Sequence, residues 1–408
     1  MTGSSGRRRE GGESEPQRPN MSRRVFTSAV LLLLVVMMCC GTVGAVQAAE
    51  PKSDQESSPS PSFVWRDKKD GETMSSLRVP VLVEVNGGVF AVAEAQCKKN
   101  EKVLTGIASR LLTMEKGKEP EEVLEDTKDT QVLEEVTSTK KEVDVSRPTA
   151  VVEGVSIYML VGKHSHEDAA TCKATTDTIK SGMLLVKGEV GEGGNKINWN
   201  DTDSLPCTLG EKHESLTGLI GGGGSGVKMN DGTLAFPVEG TKREGAGKDG
   251  KAVSLILYLK DTKNWKLLKG MSADGCSVPS VVEWEGKLMM MTACDDGRRR
   301  VYESGDKGES WTEALGTLSR VWFNKHEGNE KRVRSGFTTA TIDGVEDNRK
   351  VMLVTLPVYP KEKEKGVLHL WLTDNTHIVD IGSVSGDVDV AASALLYRSE
   401  TNEKLIAL

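Results

Sequence analysis

Aromatic side chains are scarce in this chain. They account for 4% of its 408 residues, and all hydrophobic residues together account for 37%. That composition is a poor match to a helical bundle, whereas the 43 glycines suit many short strands joined by tight turns. The composition therefore predicts an all-β protein, with length enough for one large β domain or two ordinary ones.

Clustered positive charge is also absent. The formal net charge is −7, and residues of both signs are mixed along the chain. The triplet Arg298-Arg299-Arg300 is too short to form the basic surface that nucleic acids require. We therefore expect no nucleic-acid partner. The seven cysteines include no pair at the spacing of a metal site, so we also expect no metal and no cofactor.

The apolar run at 29–40 is too short to span a bilayer comfortably. It follows Arg23 and Arg24 and precedes a series of small residues, an order that is typical of a secretory signal. We predict cleavage after Ala48, with a signal anchor as the alternative. The mature chain is then secreted or held at the cell surface, and it has no transmembrane span.

Four segments follow from this interpretation. They are a disordered extension at 1–20, the signal peptide at 21–48, a flexible Ser/Pro-rich linker at 49–66, and the folded domain at 67–408.

Removal of the signal peptide leaves an odd number of cysteines. Cys97, Cys172, Cys207, Cys276 and Cys294 remain, so at least one thiol stays free or pairs with another chain. The sequence leaves their pairing open. The tripeptide that begins at Asn200 is a glycosylation sequon, which predicts a glycosylated surface loop at that position.

One hairpin pattern recurs through the folded domain. An apolar strand leads into a polar turn with a glycine, and a second apolar strand follows. The turn glycines are 54 residues apart at the closest (Gly232 to Gly286) and 78 at the widest (Gly154 to Gly232). Such a repeat is typical of a β-propeller. With a weaker copy around Asn402, the repeat predicts six blades. Because the last blade is incomplete, we expect an open edge and an unclosed ring. The hairpins start at 83, 151, 227, 281, 340 and 395.

A turn at 304–311 has the form S-x-D-x-G-x-S-W. Its aspartate can accept backbone N–H groups of its own turn, and its glycine can adopt a positive φ. The turn therefore has a structural role and matches the Asp-box pattern of sialidase-type β-propellers. Its fixed positions are Ser304, Asp306, Gly308, Ser310 and Trp311.

With this turn, the chain resembles the trypanosome trans-sialidase superfamily over about 77–408. The resemblance implies an all-β, six-bladed, sialidase-type propeller with its last blade incomplete. By this resemblance we expect the family's following lectin-like domain and anchor tail to be missing from the 408 residues. The motifs that carry the resemblance are GCSVP at 275–279, EWEGKL at 283–288, RRRVYES at 298–304, GTLSRVW at 316–322 and LWLTDN at 370–375.

The resemblance also implies a set of sialic-acid-handling residues, most of which this chain replaces. Active members grip the substrate carboxylate with three arginines, which pair with it through two parallel hydrogen bonds. They use a tyrosine nucleophile that a glutamate activates, and an aspartate as the acid/base. The first arginine is kept as Arg78. The third falls at Lys365, which leaves weak sialic-acid binding. The remaining positions are lost, and they fall at Ala293 (second arginine), Val278 (activating glutamate), Ala392 (nucleophile) and Lys102 (acid/base, with Glu101 as the alternative).

Three functions stay open at this point. The first is a degenerate, secreted or surface protein that binds sialylated glycans or host surface or matrix proteins. The second is a working exo-α-sialidase or trans-sialidase. The third is a non-functional truncated antigenic copy. Near the retained strands, Glu94 and Asp295 are expected to form ion pairs with Arg78 or with nearby arginines.

Overall fold

Antiparallel β-strands make up most of the computed structural model. The model describes residues 62–113, 129–136, 139–164, 182–205, 209, 215–245, 248–260, 264–326, 329–330, 332–342, 349–359, 365–386, 389–399 and 404–408. The predicted extension at 1–20, the signal peptide at 21–48, and Cys172 and Cys207 lie outside these residues. In the described part of the chain, no helix is long and apolar enough to cross a membrane.

The first sheet is the largest, with ten strands in one continuous network. Consecutive strands pair antiparallel from β2 to β9, β1 adds to β5, and β11 adds to β6. The number of blades stays a prediction, because strand pairing runs without a break through this sheet. Its first nine strands are β1 (Ser62–Asp67), β2 (Thr73–Val85), β3 (Gly88–Lys99), β4 (Lys102–Leu111), β5 (Thr130–Val136), β6 (Lys140–Glu153), β7 (Ser156–His164), β8 (Met183–Val190) and β9 (Ile197–Ser204).

Two sheets and a short strand pair follow in chain order. The five-stranded sheet has the order β10-β13-β14-β15, with β12 paired to β13. The four-stranded sheet runs β16-β17-β18-β19, and β20 and β21 form a pair of their own. The strands are β10 (Leu216–Gly221), β11 (Gly224–Ser225), β12 (Val227–Lys228), β13 (Leu234–Glu244), β14 (Lys248–Lys260), β15 (Asn264–Leu267), β16 (Cys276–Trp284), β17 (Lys287–Cys294), β18 (Arg299–Ser304), β19 (Thr312–Glu313), β20 (Lys325–His326) and β21 (Asn329–Glu330).

The last two sheets have four strands and two strands. Each of the predicted hairpins is present in the described chain, as β2–β3, β6–β7, β12–β13, β16–β17, β22–β23 and β26–β27. The repeated hairpin pattern is therefore confirmed. The strands of these sheets are β22 (Gly336–Ile342), β23 (Arg349–Val358), β24 (Val367–Thr373), β25 (Ile378–Ser383), β26 (Leu395–Arg398) and β27 (Lys404–Ala407).

The last hairpin packs between the preceding sheet and the first one. Leu395 on β26 packs against β22 to β24, whereas Leu396 and Ile406 pack against β2 and β3. An ion pair of 2.6 Å between Arg398 and Glu84 adds to the second contact. Among the described residues the last sheet has two strands, which agrees with an incomplete blade, and ring closure stays a prediction. Alternation of side chains along β26 gives this short hairpin two apolar faces, and these link the chain's last strands to its first sheet.

The inner strands surround a cavity of about 450 Å³. Residues of β2, β6, β11, β12, β16, β22 and β26 line it. The glycine-rich run at 221–226 crosses this region. A Cβ atom on Gly222 would lie 2.6 Å from the Pro237 carbonyl oxygen, and one on Gly226 would lie 2.4 Å from the Ala235 carbonyl oxygen. Both glycines thus permit a close approach of neighbouring backbones that a side chain would block.

Asp306 organises the turn between β18 and β19. Its Oδ1 accepts hydrogen bonds from the Ser304 hydroxyl (2.7 Å) and the Ser310 N–H (2.9 Å), and its Oδ2 accepts one from the Ser310 hydroxyl (2.6 Å). The Gly308 N–H donates to the Ser304 oxygen at 2.6 Å, and Gly308 has a φ of +98°. Trp311 then packs against an apolar cluster. All five residues thus act within the turn and the core beside it.

Two sequence expectations need correction. The linker predicted at 49–66 is too long, because 62–66 belong to β1, which pairs antiparallel with β5. Phe63 and Trp65 attach β1 to the apolar core. The sequon residue Asn200 is exposed as expected, but it lies in strand β9 and not in a loop.

The structure also pairs two of the cysteines. Cys276 on β16 and Cys294 on β17 form a disulfide. Cys97 on β3 is a free, fully buried cysteine, and burial raises the pKa of its thiol.

Candidate functional site at the bulged end of the inner strands

Three inner strands share the same backbone irregularity. The register of β2, β6 and β16 shifts at Val79, Arg147 and Val278, each of which precedes a proline. Their φ angles are +53°, +52° and +48°, in the left-handed region. This conformation is strained for valine and unusual before proline. Because bulges redirect side chains and occur beside functional sites, we take the region around these three residues as the candidate site.

Glu239 on β13 joins two of the bulges. Its Oε1 accepts the Val278 N–H at 2.9 Å and lies 3.0 Å from Nη1 of Arg147. Nη2 of Arg334 lies 3.9 Å from the same oxygen. Glu239 is 7% exposed. A single buried carboxylate therefore faces two guanidinium groups and one backbone N–H.

Arg334 is the more deeply buried of the two arginines around Glu239. Its side chain is 9% exposed, and burial lowers its pKa to about 10, an effect that Glu239 opposes. Within the described residues, its Nη1 atom has no hydrogen-bond partner. Gly223 makes room for this guanidinium, because a Cβ atom at that position would lie 2.6 Å from Nη1.

Glu94 lies beside the second bulge. Its Oε2 accepts the Arg147 N–H at 2.9 Å, and it sits opposite Arg78 in the pairing of β2 with β3. It is 7% exposed, whereas Arg78 is exposed. The expected ion pair of Asp295 with a nearby arginine is confirmed, and the partner is Arg332.

Three of the positions predicted to be lost lie at a bulge, opposite one, or next to Arg334. Val278 is itself the third bulge, and Ala293 pairs with the neighbouring Ser277. Ala392 forms a backbone bridge with Arg334. Their side chains are aliphatic, so none of the three can attack a substrate or move a proton.

The other predicted positions lie farther from this arrangement. Lys365 is exposed and precedes β24, the third strand of its sheet. Arg78 lies on the inner strand β2, so the two residues come from different positions in their sheets. Lys102 starts β4, and its Nζ lies 2.9 Å from Glu142. Glu142 also pairs with Arg66 at 2.9 Å, so Lys102 belongs to a separate network of ion pairs.

Sequence reasoning missed Arg147, Glu239 and Arg334. One signal was available for Arg147, because a proline inside a strand marks a bulge or an edge, and Pro80, Pro148 and Pro279 all interrupt inner strands. No comparable signal exists for Glu239 and Arg334, which reach the site from other sheets. Together with Glu94, these side chains form two cationic and two anionic groups.

Comparison with known proteins identifies the fold's relatives. Residues 79–408 match the family described as BNR repeat-like domain. A sialidase from Trypanosoma cruzi is 37% identical over 278 residues, which cover 65% of this chain and 23% of the relative. Sialidase 85-1.1 from the same organism is 35% identical over 274 residues, which cover 63% of this chain and 35% of the relative. The chain thus spans less than half the length of these two relatives.

A solved structure shows the same likeness in three dimensions. Trypanosoma rangeli sialidase in complex with the inhibitor DANA has a TM-score of 0.62 and 29% identity, covering 86% of this chain and 57% of that one. The all-β architecture is therefore that of the sialidase β-propellers. The chain belongs to the trypanosome sialidase/trans-sialidase superfamily.

Proposed function

We propose that this protein binds sialylated glycans at the bulged end of its inner strands and does not cleave them. The observation that carries the proposal is the chemistry of Val278, Ala293 and Ala392, none of which is a nucleophile, a proton carrier or a cation. Val278 lies at a bulge, Ala293 pairs beside it, and Ala392 bridges to Arg334. The glycans would be those of host surface or matrix proteins.

A sialylated ligand is supported by the relatives. Trypanosoma rangeli sialidase, 28% identical to this chain, has been solved in complex with sialic acid. Arg78 matches the one arginine of the family's carboxylate grip that this chain keeps, and it is exposed. A planar guanidinium can pair with a carboxylate through two parallel hydrogen bonds.

The absence of cleavage rests on the replaced residues. In the active members of the family, a tyrosine attacks the substrate and a glutamate activates that tyrosine. Here Ala392 aligns with the tyrosine and Val278 aligns with the glutamate. Catalytic groups that act as a unit lose many orders of magnitude in rate when one of them is removed. Val278 is also only 8% exposed, and its N–H donates a hydrogen bond to Glu239. Its buried side chain therefore offers little surface to a ligand.

The alternative is a working exo-α-sialidase or trans-sialidase, which the names of the T. cruzi relatives favour. Release and transfer of sialic acid from 3′-sialyllactose by the full chain distinguishes the two functions. We expect no turnover above that of an Arg78→Ala control, with both proteins checked for β structure by circular dichroism.

Binding is measured in the same samples by saturation-transfer NMR. We expect contact with the sialic-acid moiety in the wild type and a weaker signal in Arg78→Ala. Turnover above the control would overturn the non-cleaving function, and loss of all binding in folded wild type would overturn glycan binding.

For location, we propose secretion or surface display through the predicted signal at 21–48, with a glycan on exposed Asn200. N-terminal sequencing of secreted protein tests the cleavage site and should give Ala49 as the first residue. Another first residue, or a chain that is not secreted, would contradict this proposal.

A further inference from the structure

Two arginines of the candidate site are not among those that the resemblance assigns to the substrate. Arg147 forms the bulge on β6, and Arg334 precedes β22. Their guanidinium groups converge on one carboxylate oxygen, at 3.0 Å for Nη1 of Arg147 and 3.9 Å for Nη2 of Arg334. The pair therefore needs an explanation of its own.

The contacts of Arg334 with the described residues leave its buried charge without a close counter-ion. A buried guanidinium normally requires a close counter-ion, because desolvation of its charge is costly. The side chain of Arg334 is 9% exposed, yet its carboxylate contact is 3.9 Å long. Its Nη1 atom has no hydrogen-bond partner among the described residues and points against Gly223, where a side chain would collide with it. This buried donor therefore lacks an acceptor among the described residues.

Glu239 is shared between the two arginines. Its Oε1 also accepts the Val278 N–H at 2.9 Å. This set of donors, two guanidinium groups and one backbone N–H, is the set that a protein uses to hold a carboxylate. The side chain of Arg147 is 33% exposed, so a ligand can reach the pair from solvent along that residue.

We propose that Arg147 and Arg334 form a carboxylate-binding pair and that Glu239 is the internal carboxylate that occupies it. A ligand with a carboxylate, of the class of acidic sugars, displaces the Glu239 side chain and takes over its donors. This inference rests on the proposed binding of sialylated glycans and adds a competitor within the same site. The ligand affinity of the protein then depends on competition between the ligand carboxylate and the Glu239 carboxylate for Arg147 and Arg334.

The test is the affinity of the full-length Glu239→Gln variant for 3′-sialyllactose, measured by NMR titration. Glutamine keeps the shape of Glu239 and removes its charge, so affinity should rise by about tenfold, and Glu239→Gln/Arg334→Met should lose that gain. Asp295→Asn is the matched control, because it removes a carboxylate that pairs with another arginine, Arg332. The methyl ester of the trisaccharide should show no gain, because it lacks the carboxylate charge.

The outcomes separate this inference from the proposed function. Equal affinity of Glu239→Gln and wild type, or an equal gain in Asp295→Asn, overturns the inference and leaves glycan binding untouched. Binding by Glu239→Gln alone, with dependence on Arg334, supports the inference and overturns glycan binding by the unaltered chain. Absence of binding in every folded variant overturns both.

A second comparison applies if Glu239→Gln does not fold. Arg147→Met removes the more exposed member of the pair, and Arg332→Met is its control. We expect weak binding of 3′-sialyllactose to wild type and to Arg332→Met, and none to Arg147→Met. Retained binding in Arg147→Met would overturn the inference.

Discussion

At the scale of single residues, a glycine of the candidate site leaves room for a buried arginine. Gly223 has a φ of +78°, and its missing side chain leaves space for the Arg334 guanidinium. Gly224 has a similar φ of +85°, but a Cβ atom there would meet nothing within 4 Å. Gly224 is therefore required only for its backbone conformation, whereas Gly223 is required for its backbone conformation and for packing.

We predict that Gly223→Ala costs more stability than Gly224→Ala. Both substitutions place alanine at positive φ, which costs about 1 kcal/mol or more. Only the first also displaces a buried side chain, which adds about 1–3 kcal/mol. Urea denaturation of the two variants measures the difference in the free energy of unfolding. Equal losses would show that Arg334 moves away from Gly223 without cost.

At the scale of elements, the turn between β18 and β19 depends on one ionised carboxylate. The pKa of Asp306 is lowered to about 2 from an ordinary value of 3.8. The cause is hydrogen bonding from the Ser310 hydroxyl, the Ser304 hydroxyl and the Ser310 backbone N–H, in decreasing order of effect. Because the folded-state pKa lies below the unfolded one, the contribution of this group to stability is present in full above about pH 4. It is lost as the pH falls through about 2.

We therefore predict that Asp306→Ala lowers the thermal midpoint at neutral pH, and that the difference from wild type narrows below about pH 4. Melting curves recorded by circular dichroism between pH 7 and pH 3 measure it. Asp203→Ala, at an exposed position on β9, is the control and should follow the wild type throughout. A gap between Asp306→Ala and wild type that stays constant down to pH 3 would contradict this role for the carboxylate.

At the scale of the whole molecule, the last strand is attached to the first sheet by few side chains. Ile406 on β27 packs against the cluster of Leu82, Val89 and Ala91. Leu405, its neighbour, faces the other way and is 37% exposed. The adjacent positions allow the closing contact to be tested without changing the rest of the strand.

We predict that Ile406→Ala lowers the free energy of unfolding by about 2 kcal/mol, the low end for truncation of a buried isoleucine, because Ile406 is only partly buried. Leu405→Ala should cost less than about 0.5 kcal/mol. Hydrogen exchange should also speed up in β2 and β3 of Ile406→Ala, more than 300 residues away in sequence. Unchanged exchange in those strands would show that the closing contact is not stabilising.

The hairpins and the site were predictable from the sequence to different degrees. A hairpin depends on neighbouring residues, such as the glycine between Val85 and Val89, so the local pattern was sufficient to predict it. The resemblance marked Val278 and Ala293, which the structure places at and beside a bulge, and Ala392, which bridges to Arg334. It also marked Lys102, which lies in a separate network with Glu142.

The sequence by itself determined the all-β class and the repeated hairpins, because each depends on residue type or local spacing. Only the tertiary structure decided that β26 and β27 pack onto the first sheet and that Glu239 lies between Arg147 and Arg334. The physical reason is that these contacts join residues far apart in the chain, and their geometry depends on how the sheets pack, which no local pattern encodes.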